Sequence, residues 1–248
     1  MRLVRFASGD KIFSGRVDGN DLFPVEGGAF PKEFSLSKVR LLPPSLPSKI
    51  VAIGLNYRDH AEELKLKLPE EPLLFIKPPS SVIGPDDEIV LPSQSARVDF
   101  EAELAIVIGK MARRVPRNAA REYIMGYTCL NDVTARDLQT KDGQWTRSKS
   151  FDTFCPVGPW IETDIDPSDL EIGLYLNGQR KQASRTSNLI FDCFQLVEFI
   201  SDIMTLMPGD MIATGTTSGI GPMQAGDTVE VRIEGIGSLK NPVVSGVS

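Results

Sequence analysis

Short apolar runs, separated by turn-forming residues, recur through most of the chain. The run at 104–109 is continuous, which is typical of a strand buried on both faces. The run at 170–176 leads into Asn177-Gly178, a dipeptide that tolerates positive φ at both positions and therefore predicts a hairpin. Further strands are predicted at 50–54, 211–214 and 228–233.

Helical patterns are fewer than strand patterns. Residues 194–206 carry the clearest one, because Leu196, Ile200 and Ile203 recur on one side of the predicted helix. Shorter helices are predicted within 56–66 and 116–123. Many short strands and few helices indicate a mainly β (α+β) fold, a roll or distorted sandwich, and exclude a Rossmann pattern.

The first part of the chain reads as a separate β-rich unit. Alternating runs are broken by turn residues at 8–10, 18–20 and Gly27-Gly28. Residues 42–47 contain three prolines and predict an extended linker, because proline fixes φ. We therefore divide the chain into a small domain at 1–46 and a larger one at 47–248.

Composition narrows the class of protein. The 248 residues carry a formal net charge of −6, which disfavours a broad nucleic-acid-binding surface. The three cysteines are isolated in sequence and suggest neither a disulfide framework nor a zinc site. No signal peptide or membrane-length apolar run is visible. We expect a cytoplasmic protein with no nucleic-acid or membrane partner.

The segment 98–108 places two acidic residues beside a buried apolar run. If it forms one strand, Glu101 and Glu103 project from the same face, where they repel each other and are costly to desolvate. A hard divalent cation would remove that cost, and Asp132 offers a third oxygen ligand at the end of another apolar run. Spacing alone leaves open a solvated strand face with Asp132 in a turn.

The chain has a single histidine, His60, so a histidine-rich zinc site is excluded. In a helical turn His60 and Glu63 are three residues apart and can meet, which is how a water-activating base is built. An exposed helical histidine with incidental acidic neighbours is the alternative. The charged stretch 62–71 is equally compatible with a mobile surface lid.

Other polar residues have a less specific pattern. Lys149 is able to hold a substrate carboxylate or stabilise an enolate if it lies beside the metal, but lysine is usually a surface residue. Arg136 and Gln139 have the same ambiguity. Thr216 lies in a Gly- and hydroxyl-rich loop, 214–221, whose backbone amides are able to cradle an anion.

Taken together, these segments resemble the fumarylacetoacetate hydrolase family. The resemblance covers about residues 49–243 and rests on the joint order of seven segments. They are GLNYRDHAEE (54–63), FIKPPSSVIGPDDEIVLP (75–92), DFEAELAIVIGK (99–110), GYTCLNDVTARDLQ (126–139), KSFDTFCPVGPWI (149–161), LNG (176–178) and LMPGDMIATGTTSGIG (206–221). One departure is Thr217, where the family loop usually has proline, and the predicted loop 139–145 is short.

The resemblance implies a β roll behind a small N-terminal domain, a homodimer, and a small oxo-acid as substrate. It implies that Glu101, Glu103 and Asp132 bind Mg²⁺ or Mn²⁺, with Ca²⁺ as a possible substitute. It also implies that His60 and Glu63 activate water, that Lys149 faces the substrate and that Gln139 is a nearby polar contact. Arg136 and Thr216 are further candidate contacts with the substrate.

The leading hypothesis is hydrolysis of a C–C bond in an acylpyruvate-like dioxo acid, through an enolate held at the metal. Decarboxylation of an oxo-diacid such as oxaloacetate, or isomerisation of a hydroxymuconate-type dienoate, remains an alternative at the same site. A catalytically silent, metal-stabilised binding protein is the alternative from another class.

Overall fold

The computed structural model describes residues 1–24 and 34–246. Its strands are β1 Arg2–Ser8, β2 Lys11–Asp18, β3 Asp21–Pro24, β4 Phe34–Ser35, β5 Arg40–Leu42, β6 Ile50–Gly54, β7 Leu73–Lys77, β8 Val82–Ile83, β9 Ile89–Leu91, β10 Val98–Phe100, β11 Ala102–Ile108, β12 Ile124–Asn131, β13 Thr134–Ala135, β14 Cys155–Glu162, β15 Glu171–Leu176, β16 Gln179–Arg185, β17 Met211–Thr216, β18 Gly221–Pro222, β19 Thr228–Ile233 and β20 Gly237–Ser245. The α-helices are α1 Arg58–Glu63, α2 Arg136–Asp142, α3 Thr146–Lys149 and α4 Cys193–Ile203. Short 3₁₀ helices occupy Leu36–Lys38, Pro79–Ser81, Arg117–Tyr123 and Thr186–Asn188.

The fold is mainly β, as the sequence predicts. A large sheet has the order β4-β3-β2-β1-β14-β12-β11-β17-β6-β7, with β5 on β1 and β8 on β14. Two smaller sheets have the orders β16-β15-β19-β20-β9 and β13-β10-β18. All residues of β11 are buried, because β12 and β17 flank the strand and other elements cover both of its faces.

The main core lies between the large sheet, the five-stranded sheet and α4. Leu104 and Ile106 of β11 belong to the same buried cluster as Leu174 of β15 and Ile200 of α4. Asp192 caps α4 through a capping box with Gln195, which fixes where the helix begins. Ala105 and Val107 alternate with these residues along β11, and they belong to a second cluster on the other face of the sheet. This double coverage makes β11 a rigid support for the residues at its start.

The N-terminal strands are joined to the large sheet. Leu3 of β1 pairs with Ile161 of β14, and β1 also pairs with β2 and β5. A small hydrophobic cluster that includes Phe6 and Leu22 forms the core of this N-terminal region. The division at 1–46 and 47–248 stays a prediction, and the predicted turn at Gly27-Gly28 lies outside the described residues.

Several predicted elements are confirmed. Asn177 and Gly178 form the turn between β15 and β16, with φ of 52° and 78°. The predicted helices at 56–66 and 194–206 are present as the shorter α1 and α4, and 116–123 is present as a 3₁₀ helix. Within the described residues, no helix is long and apolar enough to cross a membrane.

Two predictions of local structure are wrong. The segment 98–108 is not one strand, because it is interrupted at Glu101. The Glu101 amide donates to the side chain of Asn131 and its carbonyl accepts from the Asp132 amide, so the chain bends from the small sheet into the large one. The predicted loop 139–145 is mostly helical, since α2 runs to Asp142.

Candidate metal centre and active site

Three carboxylates meet where the chain enters β11. Glu101 lies at the bend before the strand, and Glu103 is the second residue of the strand. Asp132 directly follows β12. One carboxylate oxygen from each of the three lies within 4.8 Å of the others. All three residues are buried, with exposures of 5%, 1% and 0%. The sequence predicted this cluster, and the alternative of a solvated strand face is wrong.

A bulge in the neighbouring strand helps to hold Glu103. The pairing of β11 with β17 is irregular between Glu103 and Ala105, and this irregularity accommodates Gly215 at a φ of 97°. The Gly215 amide donates to Oε2 of Glu103 at 2.8 Å. A Cβ on Gly215 would lie 2.8 Å from Cβ of Asn56, so glycine is required sterically as well as conformationally.

Two buried lysines neutralise part of the acidic charge. Nζ of Lys149 donates to Oε2 of Glu101 at 2.9 Å and to Oδ2 of Asp132 at 2.6 Å. Nζ of Lys77 donates to Oδ1 of Asp132 at 2.6 Å and to the carbonyl oxygen of Lys149 at 2.5 Å. Lys77 therefore supports Asp132 and the backbone of α3 together, from a position with no solvent exposure.

Arg136 links the carboxylate cluster to a second acidic residue. It donates to Asp99 at 2.9 Å, to Gln139 at 2.6 Å and, through a short ion pair, to Glu101. Arg97 also pairs with Asp99. Arg136 and Gln139 are thus held as one unit along the first turn of α2.

The three carboxylates do not share their surroundings equally. Burial works against ionisation of Glu101, but the charges of Lys149 and Arg136 outweigh it and hold the pKa of Glu101 at about 2. Burial raises the pKa of Glu103 well above its usual range, and the charges of Asp132 and Glu101 raise it further. Within the described part of the chain, Glu103 forms no salt bridge.

This donor set fits a divalent cation. Carboxylate oxygens are the ligands that Mg²⁺, Mn²⁺ and Ca²⁺ prefer, and three of them converge here within reach of one ion. Among residues 1–24 and 34–246, no lysine or arginine forms an ion pair with the Glu103 carboxylate, so a bound divalent ion would supply this compensation. The residues present therefore suit the metal predicted from the sequence.

His60 and Glu63 form the predicted pair on α1. Nδ1 of His60 lies 2.9 Å from Oε2 of Glu63, and the Gly219 amide donates to the same carboxylate. His60 is 7% exposed, whereas the Glu63 side chain is 40% exposed. The alternative of an exposed histidine is therefore wrong. Asn56 anchors the start of this segment by donating to the Thr214 carbonyl at 2.8 Å.

A cavity of about 330 Å³ brings most of the predicted site residues together. Its polar lining contains His60, Glu101, Glu103, Arg136, Gln139, Thr140, Lys149 and Thr216. Asp132 has no solvent exposure and lies beneath the polar lining of the cavity. Glu63 is hydrogen-bonded to His60 on the side away from the cavity. The Thr216 hydroxyl already donates to the Ala102 carbonyl and accepts from Gln182, so it is committed to the protein scaffold.

The remaining wall of the cavity is apolar. Phe75 and Trp145 meet edge to face at 5.2 Å, and Leu64 and Leu66 line the same cavity. Gly54 makes room for the indole, since a Cβ at this position would lie 2.8 Å from the Trp145 ring.

The three cysteines are buried and burial raises the pKa of each thiol, to about 12 for Cys155. None of them lines the cavity, so they do not offer a thiolate nucleophile there.

Comparison with known families agrees with this geometry. Residues 49–244 match the family model described as fumarylacetoacetate (FAA) hydrolase C-terminal. The chain belongs to the fumarylacetoacetate hydrolase family. Residues 1–44 match a separate model described as Rv2993c-like, N-terminal. The two matches adjoin the predicted linker, and the fold is the mainly β architecture of this family.

The similar proteins are named for different reactions. A structure of 5-carboxymethyl-2-hydroxymuconate delta-isomerase from Mycobacterium smegmatis is 49% identical, with a TM-score of 0.93 and complete coverage of both chains. The 2,4-didehydro-3-deoxy-L-rhamnonate hydrolase of a Sphingomonas strain is 45% identical, over 79% of this chain and 73% of its own. Maleylpyruvate hydrolase from Sphingobium, in complex with manganese(II) and pyruvate, is 32% identical with a TM-score of 0.85 and complete coverage of both chains.

Sequence reasoning missed two residues at this site. Lys77 lies in the segment FIKPP, and its position directly after four apolar residues of the strand was the available signal. Gln182 lies in a polar stretch of β16 whose neighbours are exposed, and nothing local distinguishes it.

Proposed function

We propose that this protein is a divalent-metal-dependent hydrolase that cleaves a C–C bond in a short-chain acylpyruvate. The observation that carries the proposal is that His60, hydrogen-bonded to Glu63, lines the same cavity as Glu101 and Glu103. A base oriented by a carboxylate is the group that activation of water requires. The manganese(II) and pyruvate bound to the Sphingobium hydrolase support a 2-oxo acid at this kind of site.

Glu101, Glu103 and Asp132 would hold the cation, which when bound supplies a Lewis acid that polarises the 2-oxo acid end of the substrate. Lys149 places its ammonium group between two of these carboxylates, next to the position where negative charge develops. Arg136 and Gln139 line the cavity as a bonded unit that orients the substrate carboxylate.

His60 takes a proton from water, and Glu63 stabilises the resulting imidazolium. The hydroxide adds to the distal carbonyl carbon, and the bond between that carbon and the adjacent methylene then breaks. Its electron pair remains on the methylene carbon as the enolate of pyruvate, while the distal acyl group leaves as a carboxylic acid. The imidazolium returns its proton to the enolate carbon, so the sum is acylpyruvate plus water giving a carboxylic acid and pyruvate.

The test of this role is His60→Gln, compared with Glu63→Gln. We expect kcat for acetylpyruvate to fall about 10²–10⁴-fold in the first variant, because the base is lost, with KM little changed. Glu63→Gln should reduce kcat less. Glu62→Gln, a change at the adjacent exposed carboxylate, is the matched control. Wild-type turnover by His60→Gln would show that His60 is not the base.

The apolar wall favours a substrate with an uncharged tail. Within the described residues, the cations that line the cavity are Arg136 and Lys149, and both already pair with buried carboxylates. A second carboxylate on the substrate would therefore face Leu66, Phe75 and Trp145 without a partner, which is unfavourable.

We expect kcat/KM for alkyl acylpyruvates to exceed that for an analogue with a terminal carboxylate by about tenfold or more. Leu66→Lys should reduce this preference by adding a cation at the wall, whereas Leu68→Lys, an exposed site outside the cavity lining, should leave it unchanged. Equal turnover of both substrates by the wild-type protein would contradict the assignment.

Isomerisation of a hydroxymuconate-type dienoate is a second candidate at the same carboxylates. The 49% identity to the Mycobacterium isomerase favours it. A panel of acetylpyruvate, oxaloacetate and a dienoate separates the reactions, since water incorporation marks hydrolysis, CO₂ release marks decarboxylation and an isobaric product marks isomerisation. Each reaction should stop when the metal is removed by chelation and return when Mg²⁺ or Mn²⁺ is restored.

A further inference from the structure

Gln182 is a fully buried amide that no part of the proposed reaction uses. It lies on β16 of the five-stranded sheet, yet each of its side-chain hydrogen bonds reaches the region around the cavity. Oε1 accepts from the Ala102 amide at 2.9 Å. Nε2 donates to the Thr216 hydroxyl and the Thr217 carbonyl, each at 2.9 Å, and to the Thr217 hydroxyl at 3.3 Å.

The residues that bond to Gln182 lie in sequence between residues of the proposed site or between residues that hold it in place. Ala102 lies between Glu101 and Glu103, so a bond to its amide fixes the chain between two of the three carboxylates. Thr216 and Thr217 lie between Gly215 and Gly219. The Gly215 amide donates to Glu103 and the Gly219 amide donates to Glu63.

The strand that carries Gln182 also sets the position of Gly219. A Cβ on Gly219 would lie 2.3 Å from the carbonyl oxygen of Lys181, so the loop passes directly over the backbone of β16. Residues 181 and 182 are thus a platform that touches the loop at both ends. The hydroxyl of Thr217, at the position where the family loop usually has proline, gives this amide one of its acceptors.

We propose that Gln182 is a positioning residue that holds the carboxylate trio and the His60–Glu63 base in one fixed relation. It acts on the carboxylates through Ala102 and on the base through the 215–219 loop. Its side chain does not line the cavity, so it has no contact with the substrate. Second-layer hydrogen bonds of this kind orient metal ligands, and their loss typically reduces metal affinity or activity 10–100-fold.

The proposal rests on the metal site and the base described under the proposed function, and two of its readouts need no turnover. The variant is Gln182→Met, which keeps the length of the side chain and removes its hydrogen bonds. We expect the Kd for Mn²⁺, measured by calorimetry, to rise about 10–100-fold. With saturating metal, kcat should fall about tenfold or more while KM changes less than about threefold.

The single histidine gives a direct view of the second effect. In protein labelled with ¹⁵N-histidine, all side-chain signals come from His60. Gln182→Met should shift these signals in the Mg²⁺ complex, because Glu63 loses the fixed position of its Gly219 partner. This readout stands even if the reaction is isomerisation instead of hydrolysis.

Asn241→Leu is the matched control. Asn241 is a buried amide that donates to the Gly84 and Asp87 carbonyls, each at 2.8 Å, and it does not line the cavity. The Asn241→Leu variant should be less stable than the wild type but should keep wild-type Mn²⁺ affinity and wild-type His60 signals. If Gln182→Met is too unstable to isolate, Thr217→Val removes one acceptor and should shift the same readouts less. A loss of stability alone in the Gln182 or Thr217 variant, as in the control, would overturn the proposal.

Discussion

Replacing Glu103 by glutamine is expected to abolish tight metal binding and, at the same time, to stabilise the metal-free protein. Glutamine keeps the shape of the side chain and an oxygen that accepts from the Gly215 amide. It removes one negative charge from a buried trio in which Glu103 has no salt-bridge partner within the described residues. The gain in unfolding free energy should be on the order of 1 kcal/mol, because an uncompensated buried charge is costly.

The loss of function should be much larger than this gain. We expect the Kd for Mn²⁺ to rise at least about a hundredfold and kcat/KM to fall about a thousandfold, since a direct ligand is lost. Calorimetry, denaturant unfolding with chelator and steady-state kinetics measure the three quantities. A variant that binds Mn²⁺ as tightly as the wild type would exclude Glu103 as a ligand.

Asp210→Asn provides the opposite case for comparison. Asp210 is also fully buried, but it is ion-paired with Lys49 and accepts from the Ser48 amide at 2.9 Å. These partners hold the pKa of Asp210 below its usual range despite burial. Loss of this charge should destabilise the protein and leave metal affinity unchanged. The two variants therefore compare a buried carboxylate that repels its neighbours with a buried carboxylate that is ion-paired.

Replacing Lys77 by methionine is expected to have the largest effect on stability. Its ammonium group has no solvent exposure and bonds to Asp132, to the Lys149 carbonyl and, at 3.3 Å, to the Val133 carbonyl. Removing it leaves Lys149 as the partner of the buried Asp132 carboxylate, breaks one of its two ion pairs, and leaves two carbonyl groups without this donor. The unfolding free energy should fall by about 3–5 kcal/mol.

Added cation should partly reverse this loss. A divalent ion bound by the trio supplies positive charge next to Asp132, so Mn²⁺ should raise the Tm of Lys77→Met more than that of the wild type. Lys240→Met, at an exposed position on β20, should show neither effect. A wild-type Tm for Lys77→Met without metal would contradict the role given to this lysine.

The chemistry of the site was more predictable than its local geometry. Glu101 and Glu103 stood out because two carboxylates directly before a buried apolar run demand compensation. The bend at Glu101 was not predictable, since it depends on hydrogen bonds to Asn131 and Asp132 from a distant strand. The cluster nevertheless formed as expected, because the bend and the bulge at Gly215 jointly aim the two side chains.

Residues that act across sheets left little trace in the sequence. Lys77 and Gln182 lie in strands that look ordinary, and their importance comes from partners 55 and 34 to 80 positions away. The turn at Asn177-Gly178 shows the opposite situation, because its conformation depends on the two residues themselves. A single sequence therefore predicts structure that depends on neighbouring residues, but it does not predict hydrogen bonds between residues far apart in the chain.

The order of strands in the large sheet has a consequence for folding during synthesis. β11 is sandwiched between β12, which follows it closely, and β17, which is translated much later. Until Met211–Thr216 leaves the ribosome, the apolar segment Ala102–Ile108 has one unpaired edge and an incomplete cover. The nascent chain thus passes through a stage prone to association with other chains, and shielding of this segment by a chaperone should increase the yield of folded protein.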